Sequence, residues 1–357
     1  MISSSQNTSK RATIDWPECK GPAFACLPAE LVSEIFSYCD VHDLVQLGRT
    51  SRKYGTLIRE YLSHRIHQTF LPFFTDVCEF RETLRSCDAL VSGSAALHIL
   101  LPPKSTTWVP TDLDIYVPHP HFHYLSVLLQ QEHGYHLIQE GNANVNPYTF
   151  SLIRSVATFS KGNQHIDVIV SKTAAIGPIL QFHSTAVMNF IDADNIFCAY
   201  PALTFQNLAR INPGPLYFDR FRRRTISALW KYAGRGFRFI NCKTAPLSKY
   251  SCKSIGRSLT DAGCMWINVN NLPYASATPI NLFRQYGFLD VQWTLGGMVC
   301  GSQVAFQDAR IHVVNDQSCV QVSTRMRSLN SLHNSVKLGI PSMSGSLEED
   351  GEYDNWM

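Results

Sequence analysis

Two aspartates stand one residue apart in the apolar run Asp112-Leu113-Asp114-Ile115-Tyr116-Val117. In a strand, residues i and i+2 share a face. Leu113, Ile115 and Val117 would then enter a core, and Asp112 and Asp114 would stand together on the other side. Carboxylates held this close repel each other unless a cation bridges them, and a hard divalent ion such as Mg2+ takes oxygen ligands. A third acid, Asp167, interrupts the apolar run Ile166-Asp167-Val168-Ile169-Val170. An unpaired carboxylate there is costly. If the two strands are neighbours, three carboxylates converge. Upstream, Gly93-Ser94 lies where the strand-like Ala89-Leu90-Val91-Ser92-Gly93 meets a helical run starting at Ser94. Such a helix start offers free N–H groups to a phosphate.

Other chemistry is less supported. His119, His121 and His123 alternate; zinc would need them on one strand face, and Pro118 and Pro120 favour an irregular loop instead. The stretch 219–239 holds Arg220, Arg222, Arg223, Arg224, Lys231, Arg235 and Arg238. It reads as a helix that either grips triphosphate or nucleic acid, or simply covers a core with Phe221, Ile226, Leu229 and Trp230. The second reading is preferred, which leaves nucleic acid as a minority partner. Trp230, Trp266 and Trp293 read as core aromatics, and Gly296-Gly297 as a turn. No nucleophile elbow is present.

The elements that must position these residues follow from composition and spacing. With 357 residues, 45% hydrophobic and 17% charged, the chain is globular in composition and long enough for one to three domains. The net charge is +3; the last fourteen residues hold five acids and no base, so the body carries +8. Eleven cysteines without a C-x-x-C spacing, no signal-peptide pattern and no run long enough to span a membrane point to a reduced protein of the cytoplasm or nucleus. The expected fold class is α+β. A disordered lead over 1–22 precedes a helical module over 23–70, a mixed-sheet core over 83–200, a helical then β-rich extension over 201–322 and a flexible acidic tail over 323–357. Within the module, Pro28 suits a first helical turn, Asp40 ends the first helix, Asp43 caps the next, and Gly48 and Gly55 divide that stretch into two short helices.

The order Gly93-Ser94, then Asp112 and Asp114, then Asp167 resembles the DNA polymerase beta-type nucleotidyltransferase superfamily over about residues 83–200. The resemblance implies that Gly93 and Ser94 bind nucleotide phosphates. It implies that Asp112, Asp114 and Asp167 bind metal, Mg2+, as the catalytic carboxylates of an in-line displacement on an NTP. The loop Leu101–Trp108 would be an insertion. Fold alone does not guarantee turnover, so an inactive domain of this fold and an active nucleotidyltransferase both stay open. The module resembles an F-box, on Leu27-Pro28, Glu30-Leu31, Ile35-Phe36, Asp43-Leu44, Leu47 and Ser51-Arg52. This implies a receptor that docks on the adaptor subunit of a cullin–RING ubiquitin ligase, through Leu27, Pro28, Leu31, Ile35, Leu44 and Leu47. Cys39 departs from the family's usual leucine.

Overall fold

The computed structural model describes residues 27–142, 152–212, 223–241, 249–269, 291–298, 306–307 and 309–313. The expected lead and tail lie outside these residues. The chain begins with α1 (Ala29–Phe36), α2 (Val41–Gly48), α3 (Arg52–Phe70) and α4 (Val77–Ser86). In α1, Val32 and Phe36 are four apart and buried, while Leu31 and Ile35 face outward. Asp40, not Asp43, caps α2, accepting from the Asp43 N–H at 2.8 Å. Gly55 does not break α3, which runs nineteen residues from its Ser51 cap. A Cβ on Gly48 would lie 3.6 Å from the Gly55 Cα. The stretch does divide into two helices, with Gly48 as the last residue of α2, while Gly55 lies inside α3 and gives the two helices their close approach.

The sheet follows. β1 (Leu90–Ser92) leads into α5 (Gly93–Leu100), then β2 (Asp112–Pro118), α6 (His119–Gln131), β3 (His136–Asn142), β4 (Ile153–Lys161) and β5 (Gln164–Ser171). Next come α7 (Ile176–Leu180), β6 (Asn189–Ile191), β7 (Asn195–Cys198), α8 (Pro201–Thr204), β8 (Leu208–Ala209), α9 (Arg223–Gly234) and β9 (Arg238–Phe239). The chain continues through β10 (Arg257–Ser258), β11 (Met265–Asn268), β12 (Val291–Thr294), β13 (Gly297–Met298), β14 (Phe306–Gln307) and β15 (Arg310–Val313). Eight strands form one mixed sheet in the order β11-β7-β6-β1-β2-β5-β4-β3. β2 and β5 are parallel; the other pairs are antiparallel. This is the α+β architecture expected. The region 172–240, expected to be helical, also supplies β6 and β7, and β11 from the extension completes the sheet edge.

Strand alternation sorts the core into two layers. Leu113, Ile115, Val117, Ile166, Val168 and Val170 join one cluster with α1–α6, so the N-terminal module packs on that side. Tyr116 and Ile169 join the other, with Phe190, Phe197, Tyr232 and Trp293. Polar ties fix the module to the sheet. Arg65 of α3 donates to the carbonyls of His98 and Leu101 at 3.1 and 2.9 Å, at the C-terminal end of α5. In the loop after α5, the Lys104 N–H bonds the Ser37 carbonyl and its ammonium meets Glu34 at 3.1 Å. Among the described residues, no helix is long and apolar enough to cross a membrane.

Candidate functional site

Asp112 and Asp114 begin β2, both partly buried, with the fully buried Leu113 between them and Ile115 after. Parallel pairing sets Asp114 directly beside Asp167 of β5, and Asp112 beside His165. Residues in register on adjacent strands point the same way, so the three carboxylates share one face. It is the face of Tyr116 and Ile169, opposite the N-terminal module. β1 enters from the other side with Ser92 opposite Asp114, and the chain turns at once into α5. Gly93, at φ +66°, makes that turn, and a Cβ there would fall 2.1 Å from the Asp114 Oδ2. Only a glycine lets the helix start close over this carboxylate.

Two hydroxyls orient the outer acids. Ser94 Oγ donates to Asp112 Oδ1 at 3.4 Å, and Thr158 Oγ1 of β4 to Asp167 Oδ1 at 2.8 Å. Ser94 is 2% exposed and is turned toward an acid here. Among the described residues Asp114 has no such donor. Burial first, then the Asp112 and Asp167 charges, push its carboxyl up to about 8, and Lys231 acts weakly in the other direction. Asp167 is also raised, mainly by burial, against the Thr158 hydrogen bond. Crowded acids that resist ionisation lack positive charge.

The donor set fits a hard divalent ion in its chemistry: oxygens only, acidic, two of the three held by hydroxyls. It is not drawn up tightly. Among the described residues, the acids and imidazoles that bring one ligand atom each within 4.8 Å of one another are Asp40, His42 and Asp43 on the module surface. The Asp112, Asp114 and Asp167 oxygens are spread wider than that.

The basic stretch reaches the same place. Lys231 of α9 acts electrostatically on both Asp114 and His183. Arg235, just past α9, lies 3.9 Å over the Trp108 ring and feels Asp112. Trp108 belongs to the loop read as an insertion, so that loop borders the acids. Of the expected core face of α9, Leu229 is half-buried but Ile226 and Trp230 turn outward. Ala228 and Tyr232 are buried, whereas Ile226 is 38% and Trp230 73% exposed. Trp293 is in the core and Trp266 packs against it, as expected; Trp230 does not. Phe221, Arg220 and Arg222 lie outside the described residues. The three histidines are helical, not in a loop: His121 is buried with Nδ1 2.7 Å from the Cys87 carbonyl, and His119 and His123 are exposed. They do not share a ligand face.

The module presents a second surface. On α1, Leu31 is 51%, Ile35 38% and Tyr38, just beyond, 63% exposed. Pro28 is exposed beside them, and Leu27 and Leu47 are partly buried against the core. Leu44 differs from the expected contact set: it is fully buried with Val41, Phe36 and Ile58. The periodicity marks it as apolar but does not say which side of α2 the core takes.

Residues 24–69 match the F-box-like family, so the chain carries an F-box-like domain there, the kind of module that acts through protein–protein interaction and generally binds Skp1-type adaptor proteins. No curated protein and no solved structure matches the chain.

Proposed function

We propose that this chain is an F-box receptor, docking on a Skp1-type adaptor of a cullin–RING ubiquitin ligase and turning its sheet domain toward a target. The observation that carries this reading is the outward apolar face of α1. Leu31 and Ile35 are solvent-facing although Val32 and Phe36 on the same helix already anchor it. Contiguous exposed apolar groups mark an interaction site. Purified adaptor should be captured by the full chain, and Leu31→Asp with Ile35→Asp should abolish capture without unfolding the protein. Failure of the wild-type chain to bind purified adaptor ends this reading.

A second reading has its own support in the three carboxylates and Gly93. The sheet domain binds a nucleotide and transfers its nucleotidyl group to an acceptor. Asp112, Asp114 and Asp167 would hold a divalent ion, whose chemistry is to stabilise attacking and leaving oxygens in an in-line displacement. Ser94 and Thr158 orient two of these acids, and Lys231 offers positive charge toward the nucleotide's phosphates. With labelled NTP and Mg2+, the wild type should release pyrophosphate and Asp114→Asn should not. Equal release by both removes the mechanism while leaving the adaptor reading intact.

A further inference from the structure

Three arginines are buried among the described residues, and the chain treats them differently. Arg257, 2% exposed, is fully partnered. Asp261 accepts from its Nε at 2.6 Å and its Nη2 at 2.9 Å, Nη1 donates to the Tyr250 carbonyl, Nη2 also reaches the Ala199 carbonyl, and the Tyr200 ring lies beneath it at 4.5 Å. Arg65, 8% exposed, gives its Nη2 to two carbonyls at the end of α5 and leaves Nη1 without a partner. Arg210, 2% exposed, has nothing for Nε or Nη1, and no carboxylate pairs with it among the described residues. A buried charge left without a counter-charge is strongly unfavourable.

The Arg210 backbone is pinned. Its N–H donates to Thr185 Oγ1 at 2.9 Å and its carbonyl accepts from the Thr185 N–H at 2.9 Å. With the Ser184–Ile211 bridge and the Asn212 N–H to His183 carbonyl bond, residues 183–185 and 210–212 form a short antiparallel ladder. In that register Arg210 stands opposite Thr185, whose hydroxyl turns back to the Arg210 N–H, and His183 stands opposite Asn212, so Arg210, Asn212 and His183 share one face. Thr185 and Asn212 are committed, the latter to the Phe182 carbonyl and the Gly296 N–H. The His183 ring, like Arg210, keeps an unpartnered nitrogen, Nδ1. Lys231 acts electrostatically on His183, so a second positive charge borders the same face.

We propose that Arg210 and His183 form a buried site for a small oxyanion of the phosphate class, bordered by Lys231. The phosphate comes from one of two sources: the tail of a nucleotide held at the carboxylates, which Lys231 also faces, or a free phosphate that completes the fold. The site does not depend on nucleotidyl transfer, and the tests separate the two. Full-length wild type, Arg210→Met, Arg210→Lys and Asp114→Asn are titrated with inorganic phosphate in chelator, and with ATP plus Mg2+, by calorimetry and thermal shift. Phosphate alone binding wild type and Asp114→Asn, but about tenfold or more weaker in Arg210→Met, identifies the free ion. ATP binding weakened in both Arg210→Met and Asp114→Asn, with no phosphate effect, identifies the nucleotide tail. In either case Arg210→Lys recovers part of the binding, and unliganded Arg210→Met melts no lower than wild type. The proposal is overturned if Arg210→Met binds both ligands as wild type does, if wild type binds neither, or if unliganded Arg210→Met is markedly less stable than wild type.

Discussion

The helical module and the acid end of the sheet break opposite rules. In the module, Leu31 and Ile35 are exposed although apolar; at the β2–β5 junction, Asp114 and Asp167 are crowded although charged. One continuous apolar cluster runs from Val32 and Phe36 of the module to Leu113, Ile115 and Val168 of the sheet. It lies between the two surfaces and supports both. Each departure is local and surrounded by well-satisfied structure, which is where functional positions are expected. The difference also separates the two readings spatially: the adaptor face belongs to the layer on one side of the sheet, and the carboxylates open to the other.

Substitutions can sharpen that contrast. The largest effect is expected at Leu44, which lies in the core and not on the adaptor face. Leu44→Ala should cost about 2–5 kcal/mol by denaturant unfolding and lose adaptor only as the module melts. Leu31→Ala should weaken adaptor binding in calorimetry while leaving stability within about 0.5 kcal/mol. If Leu44→Ala is stable but fails to bind, Leu44 contacts the partner after all. At the other end of the molecule, Gly93→Ala forces a Cβ into Asp114 and a side chain into positive φ. A loss of about 1–3 kcal/mol is expected, together with loss of any pyrophosphate release; adaptor capture should persist.

A smaller effect is pH-dependent. The folded-state carboxyl of Asp114 titrates at about 8 against an ordinary value of 3.8, so folding favours its protonated form. Its contribution is full below about pH 4 and is lost as pH rises through 8. In chelator, Asp114→Asn should therefore raise the melting temperature by several degrees at pH 8.5 and much less at pH 5. An equal shift at both pH values would show that the site does not resist ionisation. The smallest effect belongs to Trp230. Because it is exposed, Trp230→Ala should change stability by less than about 0.5 kcal/mol; a core-sized loss would restore it to the interior.

Much of this arrangement was legible in the chain. Alternation in 112–117 sent Leu113, Ile115 and Val117 to the core and Asp112 and Asp114 to the other face, as the structure has them, because period two leaves a strand no other choice; that Tyr116 and Ile169 line the acids' face came from the structure. The F-box pattern in 27–62 was equally plain. The short strands β6 and β7 were not, since Asn189–Ile191 and Asn195–Cys198 are buried on both faces and show no alternation. Ile226 and Trp230 of α9 were expected inside because they outweigh Ala228 and Tyr232 in hydrophobicity, and only the packing of Tyr232 into the core beside His183 chose the other face. Gly55 was mistaken for a break because a glycine's reason for being in a helix can lie on another helix.

The sequence by itself determined which residues could form strands, which acids would share a strand face and that residues 27–62 would be an amphipathic helical module. These are local matters, set by backbone period and side-chain type. Tertiary structure alone decided that β5 lies parallel to β2 with Asp167 beside Asp114, that Leu44 turns inward while Leu31 turns outward, and that Arg257 meets Asp261 while Arg210 meets no acid among the described residues. Those outcomes depend on which distant segments arrive next to one another, and burial, charge crowding and unmet hydrogen bonds exist only once they have arrived.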